Sequence, residues 1–447
     1  MIECSSMEEN REEMLARFIG AQRQFEALLT PLTAEEHRIQ PTVEASPPWW
    51  SLMHTAWFYS RNILMELGEY LPLDRLYDPL LNSYYHALGP YFDQGLRGKL
   101  AEPANNRAYA YRSSVHERMT RLILTATGKE LERLAFLLEI AINHEEQHME
   151  LFLTEIKRIK AENPVGELRL PYCAPPPFLS ATEAVAAEFL PFGSGLYEFG
   201  NLEGGWCWDN ELAVHSYHLR DFAIMNRLVT NGEYLEFMED GGYEDFSLWL
   251  SSAYDAVIKN GLWRSPLYWE KIDGAWWTWT LSGMKRVEPH EPVCHVSFYE
   301  AHAYALWKSR NDAHYRGARL PTEREWELAA RASRVPISGN FLESGQYHPS
   351  SAAKAVPGVP AQMLGDLWVW TASHYEPYPG YQPLPAGLVE YNSKFMNNQR
   401  VLRGGSCATP VGHMRLSYRN FWQALTRFQF TGIRLAMDFD REGTHAG

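Results

Sequence analysis

Asn143-His144-Glu145-Glu146-Gln147-His148-Met149-Glu150 decides how this chain is read, because it sets two histidines four residues apart in a segment suited to helix. Four residues on a helix correspond to about 400° of rotation and about 6 Å of rise. Both imidazoles therefore lie on one face, close enough to hold one metal ion. Residues 130–160 contain neither Pro nor Gly and are rich in Leu, Ile, Ala and Glu, which predicts a helix over 129–160. Taken alone, the pair also fits a solvated helix face, as the intervening Glu145 and Glu146 would. His54 shifts the balance. It lies in Trp49-Trp50-Ser51-Leu52-Met53-His54-Thr55-Ala56-Trp57-Phe58, where a buried imidazole is costly unless its nitrogens are paired, and ligation is one way to pair them. Three neutral imidazoles without a thiolate suit Zn, Fe, Cu or Ni, and spacing does not choose among these. Glu150, about 200° around the helix from His148, points elsewhere and is expected to be an outer or surface group.

Working outward, apolar residues recur every three or four positions over much of 8–160. They predict helices at 8–29, 50–67, 108–127 and 129–160, and these suggest a four-helix bundle. Pro31 stops the first of them. The connection over 72–106 is long for a bundle and carries Asn82-Ser83-Tyr84-Tyr85-His86, Gly89-Pro90 and Gly95-Leu96-Arg97-Gly98; long ordered connections tend to be functional. After Glu162 the texture changes. Pro164, Pro171 and Pro175-Pro176-Pro177 mark a linker over 164–188. Beyond it lie short strand-like pieces rich in Gly and Trp, with helices expected at 230–238, 298–310 and 322–332, an α+β texture. The expected domains are thus 1–163, a helical bundle carrying the metal ligands, and 189–447.

At 447 residues, two or three cores are expected. Net charge is −14 and no Lys/Arg cluster follows a phosphate backbone, so nucleic acid is not an expected partner. No apolar run reaches the roughly 18 residues that span a bilayer, and the acidic, polar start lacks the pattern of a signal segment. Cys4, Cys173, Cys207, Cys294 and Cys407 form neither a CxxC pair nor a disulfide framework, consistent with a reducing cytoplasm, the expected location.

The second half carries a more specific pattern. Arg319-Leu320-Pro321-Thr322-Glu323-Arg324-Glu325-Trp326-Glu327 resembles the signature of formylglycine-generating-enzyme-like (sulfatase-modifying factor) domains, which have a C-type-lectin-like fold. So do Leu228–Tyr234, Pro292–Ser297, Gly365–Thr371 and Arg400–Ser406, the last followed by Gly432–Ala436. A domain of that kind after a DinB-like four-helix bundle with a late HxxxHxE resembles the ergothioneine-biosynthetic sulfoxide synthases, and the resemblance spans nearly the whole chain.

The resemblance implies a mononuclear non-haem Fe(II) held by His54, His144 and His148. It also implies an O2-dependent reaction that joins the sulfur of cysteine, or of γ-glutamylcysteine, to C2 of the imidazole of hercynine (Nα-trimethylhistidine) as a sulfoxide. A three-histidine site leaves coordination positions for thiolate, imidazole and O2 together. The hercynine contacts fall on Gln147 and on Arg419-Asn420-Phe421-Trp422, with Asn420 a donor to the carboxylate and Phe421 and Trp422 ring faces for the quaternary ammonium.

Two departures from the family pattern bear on substrate and acid. Members that use γ-glutamylcysteine show Arg-Asn-Trp-Asp where this chain has Arg419-Asn420-Phe421-Trp422, and they carry arginines directly after the Gly-Pro of the long connection, where the first here is Arg97. Free cysteine is therefore the expected donor, with Arg97 a substrate contact. The family's proton-donating tyrosine before the Arg-Val-Leu-Arg-Gly-Gly-Ser run has no counterpart in register; Tyr391 would serve only with a slip of several residues. Tyr84 or Tyr85 is the expected donor, since a phenol gives up a proton without prior ionisation.

An ovothiol-type 5-histidylcysteine sulfoxide synthase is the alternative, disfavoured because no methyltransferase segment is recognised. Formylglycine generation would need a cysteine pair, and Cys407 stands alone after Gly404-Gly405-Ser406. A ligand-binding role without catalysis would leave three metal-type histidines unused.

Overall fold

Pro48 opens the helix on which the site depends: it occupies the first turn, where a missing N–H costs nothing, and Pro47 before it is extended. The computed structural model describes residues 2–68, 70–163, 165, 169–175, 185–352, 356–384, 388 and 390–439. Two compact units emerge, Met1–Cys173 with Leu384–Tyr391, and Ala174–Pro383 with Asn392–Gly447. Of the linker expected over 164–188, positions 164, 166–168 and 176–184 lie outside the described residues.

Among its described residues the first unit carries the long helices α1 (Ile2–Leu29), α2 (Pro48–Tyr59), α3 (Pro72–Leu81), α4 (Asn105–Thr125) and α5 (Gly128–Ala161). Helix α2 runs on through a π-turn, Ser60–Leu64, into Met65–Leu67. All twelve residues of α2 are buried, so this helix shows no polar face to solvent and forms the centre of the bundle, packed on α3, α4 and α5. Helix α1 ends at Leu29, as Pro31 requires, and packs along α4 and α5.

The long ordered connection expected over 72–106 is partly helical. It contains α3 and two 3₁₀ turns, His86–Leu88 and Gln94–Lys99. Pro72 sits in the first turn, where a missing N–H costs nothing, and Pro79 comes near the end of the helix. Asp74 fixes the start of α3 by accepting from the Leu71 N–H at 2.9 Å and ties it to α4 through Arg118 at 2.8 and 3.1 Å.

The second unit is α+β. Its strands are β1 (Phe189–Phe192), β2 (Gly195–Phe199), β3 (His215–Leu219), β4 (Phe222–Met225), β5 (Trp269–Ile272), β6 (Ala275–Thr280), β7 (Gly283–Arg286), β8 (Trp368–His374), β9 (Gln399–Arg403), β10 (Asn420–Gln423), β11 (Thr431–Gly432) and β12 (Ala436–Asp438). They form four small sheets in the orders β1-β4-β12, β10-β9-β8-β11, β2-β3 and β5-β6-β7. Helices α6 (Asn231–Glu239), α7 (Phe298–Asn311) and α8 (Glu323–Ala332) each begin with a capping box: Thr230 with Glu233, Ser297 with Glu300, Thr322 with Glu325. The same local device thus starts a helix from within, or at the end of, three of the motifs that carry the family signature. At Gly404, with φ at +105°, a Cβ would come within 2.5 Å of the Met363 carbonyl, so the Arg-Gly-Gly-Ser run needs glycine there.

Candidate metal centre

His54 on α2 and His144 and His148 on α5 converge; one ligand atom from each lies within 4.8 Å of the others. His54 Nε2 and His144 Nε2 are 3.2 Å apart. The Leu81 carbonyl, at the end of α3, lies 2.6 Å from His54 Nδ1 and accepts its proton. That bond fixes the tautomer and turns the Nε2 lone pair toward the other two rings, the outer-shell arrangement that orients a metal-ligating histidine. His54 stacks on Trp50 with ring centres 4.4 Å apart, and His144 stacks on Phe58 at 3.8 Å, so neither ring can turn away.

Burial is the main reason all three imidazoles resist protonation. Desolvation holds His54 and His144 well below the ordinary histidine range, reinforced at both by His148 and further by Arg97 at His54 and by His54 at His144. His148 is lowered to about 3 by burial and by Arg97. Neutral imidazoles with converging nitrogens repel a proton but suit a divalent cation, so the donor set fits a metal of the Fe or Zn type. The Nδ1 atoms of His144 and His148 find no hydrogen-bond partner among the described residues.

Behind the ligands lies a buried charge clamp. Glu145, between the two histidines in sequence and fully buried, accepts from Arg112 of α4 and, at 2.8 Å, from the Tyr59 hydroxyl of α2. Arg112 also donates to Thr55 Oγ1 at 2.9 Å, next to His54. Glu145 therefore does not sit on a solvated face; it binds the ligand-bearing helices together.

The tyrosines expected from sequence are close by. Tyr85 is buried, its ring 6.3 Å from that of Phe58, and its hydroxyl lies 3.4 Å from that of Tyr84. Asn82 staples this turn, accepting from the Tyr85 N–H at 3.0 Å and donating to the Tyr85 carbonyl at 2.9 Å. Burial raises the Tyr84 phenol to about 12 and pushes that of Tyr85 well above its ordinary range, so both keep their protons at neutral pH.

Tyr391, set aside for want of register, also comes to the centre. The segment Leu384–Tyr391 groups with the helical unit, the Tyr391 ring is 6.1 Å from that of His144, and its hydroxyl donates to Gln147 Oε1. Its place shortly before the Arg-Val-Leu-Arg-Gly-Gly-Ser run was the one signal in the sequence.

Arg97 is 2% exposed, sits with its guanidinium carbon 3.5 Å above the Trp50 ring centre, and donates through Nη1 to Ser46 Oγ at 2.8 Å. Its Nε and Nη2 find no partner among the described residues, and burial lowers it to about 9. The Ser46 N–H in turn reaches Glu155 Oε1 at 2.9 Å. Sequence reasoning missed Glu155, two helical turns beyond His148 on the same face. Burial pushes its carboxyl up to about 8.

Asn420, Phe421 and Trp422 lie on β10 of the second unit, opposite Leu402, Val401 and Arg400 of β9. Neighbouring residues on a strand face opposite ways, so Phe421 and Trp422 do not line one cage together. Phe421 stacks at 4.0 Å on Tyr375 and at 5.6 Å on Phe395, a packing role; Trp422 shares its side of the strand with Asn420 and meets Phe428 edge-on at 5.2 Å. The Asn420 side-chain oxygen accepts from the Phe421 N–H at 2.8 Å.

Comparison with known proteins agrees with this organisation. Residues 180–439 match the model of the sulfatase-modifying factor enzyme 1-like domain, and residues 17–152 that of the DinB superfamily. The chain is 31% identical to the hercynine oxygenase of Mycolicibacterium smegmatis over 91% of its own length and 94% of the relative's. It is likewise 31% identical to the hercynine oxygenase of Mycolicibacterium thermoresistibile, over 87% and 95%. A formylglycine-generating enzyme from Streptomyces coelicolor is 34% identical over 47% of this chain and 76% of that protein. Among the described residues no helix is long and apolar enough to cross a membrane.

Proposed function

The chain belongs to the hercynine oxygenases, the sulfoxide synthases of ergothioneine biosynthesis, and from that premise we propose an iron(II)- and O2-dependent enzyme joining the sulfur of free L-cysteine to C2 of the hercynine imidazole. The observation that carries the reading is the convergence of three uncharged imidazoles, one of them locked in the required tautomer by the Leu81 carbonyl. Bound there, iron(II) would supply a site for the thiolate and for O2.

The chain's own groups do the rest. His54, His144 and His148 hold the metal. Arg97, with a guanidinium edge unpaired and buried beside the site, takes the carboxylate of cysteine; a charged hydrogen bond of this kind is the strong sort. Gln147, positioned by Tyr391, orients hercynine. Tyr84 and Tyr85 remain protonated and hand a proton to the reacting centre, with the Asn82 staple holding Tyr85 in place. Aromatic walls from Trp50, Phe58 and Tyr85 exclude water, which would otherwise favour simple oxidation of the thiol.

Anaerobic reconstitution with iron(II), followed by O2 and hercynine with cysteine or γ-glutamylcysteine and read by mass spectrometry, tests the reading. A hercynine–cysteine sulfoxide is expected; turnover without metal, or a preference for the γ-glutamyl donor, contradicts it.

A further inference from the structure

His54 is flanked by two tryptophans whose N–H groups end differently. Trp50 donates to the Leu80 carbonyl at 2.9 Å, an acceptor that cannot keep a proton. Trp57, stacked on His54 with ring centres 5.6 Å apart and planes 23° from parallel, donates at 2.8 Å to a carboxylate, Asp78. The same Oδ1 atom accepts the hydroxyl of Tyr70, which is only half-buried. Trp57 is fully buried. A continuous line therefore runs from the candidate ligand through an indole and a carboxylate to a phenol at the surface, all within the first unit. Holding two aromatic side chains together would need only a neutral acceptor; a carboxylate adds a base at the point where a phenol loses its proton on oxidation.

We propose that Trp57, Asp78 and Tyr70 form a relay that carries an oxidising equivalent away from the metal centre when O2 has reacted there without a full set of substrates. The proposal rests on the reading that His54, His144 and His148 hold a redox-active metal. Indole and phenol are among the most readily oxidised side chains, and rings in near contact exchange electrons readily. Trp57 would pass one electron to a metal held by His54, His144 and His148. Tyr70 returns one electron to Trp57 and gives its phenolic proton to Asp78, which leaves a neutral tyrosyl radical and a protonated carboxyl. A thiol in solution, such as the cysteine substrate, then gives a hydrogen atom to the radical, and Asp78 releases its proton to water. The sum is one thiol oxidised to a thiyl radical, one proton released and the metal centre reduced by one electron; two thiyl radicals close to a disulfide. Burial and Asp78 raise the Tyr70 phenol above its ordinary range, so it starts each cycle protonated.

The test exposes metal-loaded full-length protein to O2 with neither thiol nor hercynine, then reads frozen samples by electron paramagnetic resonance and digests by peptide mass mapping. The wild type is expected to give a tyrosyl signal that Tyr70→Phe loses, and Tyr70→Phe to accumulate oxygenated Trp57 severalfold faster. Asp78→Asn, which keeps an oxygen acceptor but no base, is expected to weaken the signal with Tyr70 intact. Sulfoxide formed per iron in a single turnover with both substrates is expected to be unchanged in Tyr70→Phe, which a merely structural role would not predict. An undiminished tyrosyl signal in Tyr70→Phe, or equal Trp57 oxidation in both proteins, overturns the relay alone. A wild-type protein that takes up no metal overturns the underlying reading and the relay with it.

Discussion

Tyr391 donates its hydroxyl to Gln147 Oε1, on the helical turn between His144 and His148. A residue from late in the chain thereby fixes a polar side chain of the HxxQH run that is neither a candidate ligand nor part of the Glu145 clamp.

Tyr391→Phe removes that hold without changing the ligands. A hydrogen bond of about 1–1.5 kcal/mol corresponds to roughly a tenfold rise in the KM for hercynine. Steady-state kinetics beside iron analysis checks this: iron content should not change.

His144→Ala or His148→Ala is expected to abolish iron binding and sulfoxide formation while leaving helical content intact, because the bundle is held by apolar packing and by the Arg112–Glu145 clamp. Metal analysis after reconstitution, with circular dichroism on the same sample, decides it. Iron at the wild-type ratio in either variant would remove that residue from the ligand set.

Tyr84→Phe and Tyr85→Phe should shift the product from sulfoxide toward oxidised thiol, since the phenols supply the proton and not the metal site. The ratio of the two products by mass spectrometry is the readout. Tyr391→Phe, by contrast, should leave that ratio near the wild-type value.

Glu155 makes the response to pH specific. Burial raises its carboxyl to about 8, so below that value it is neutral and leaves the Arg97 charge to the substrate. A folded-state value above the unfolded one means the neutral form contributes stability that is lost as pH rises through about 8. Ionised Glu155 then competes for Arg97, and the KM for cysteine should climb above pH 8. Glu155→Gln should flatten that rise, as KM measured across pH 7–9 would show.

Arg112→Ala leaves Glu145 buried and unpaired. Breaking a buried ion pair in this way costs about 3–5 kcal/mol, which chemical denaturation of the apo protein should register. Glu145→Gln, which keeps an acceptor for Tyr59, should cost less.

The helices of the bundle were legible because their apolar spacing is strong and Pro31 ends the first of them. Helix α3 was not, because Pro72 and Pro79 carry opposite meanings in a loop and at the start or end of a helix. His54 was legible as a ligand candidate since an imidazole among tryptophans needs a reason. Glu145 also fitted a solvated face, since charge at a helical position suggests solvent, and only the partner on another helix, Arg112, reveals the burial. Glu155 escaped, and Tyr391 was set aside, because their relevance comes from tertiary neighbours, Ser46 and Gln147, that lie about a hundred residues or more away. Phe421 and Trp422 were grouped by adjacency, whereas a strand separates adjacent side chains.

The Leu81 carbonyl that fixes His54 and the Asn82 side chain that fixes Tyr85 are consecutive residues. Ligand orientation and acid placement are therefore inherited together. An insertion or deletion between Leu81 and Tyr85 would disturb both at once, while 91–99, which carries Arg97, is tied by its side-chain hydrogen bonds to Gln40, Glu44 and Ser46 and not to Leu81 or Asn82. Diversification of the sulfur donor among relatives is then expected to be written in that later stretch, with the tyrosine turn left alone.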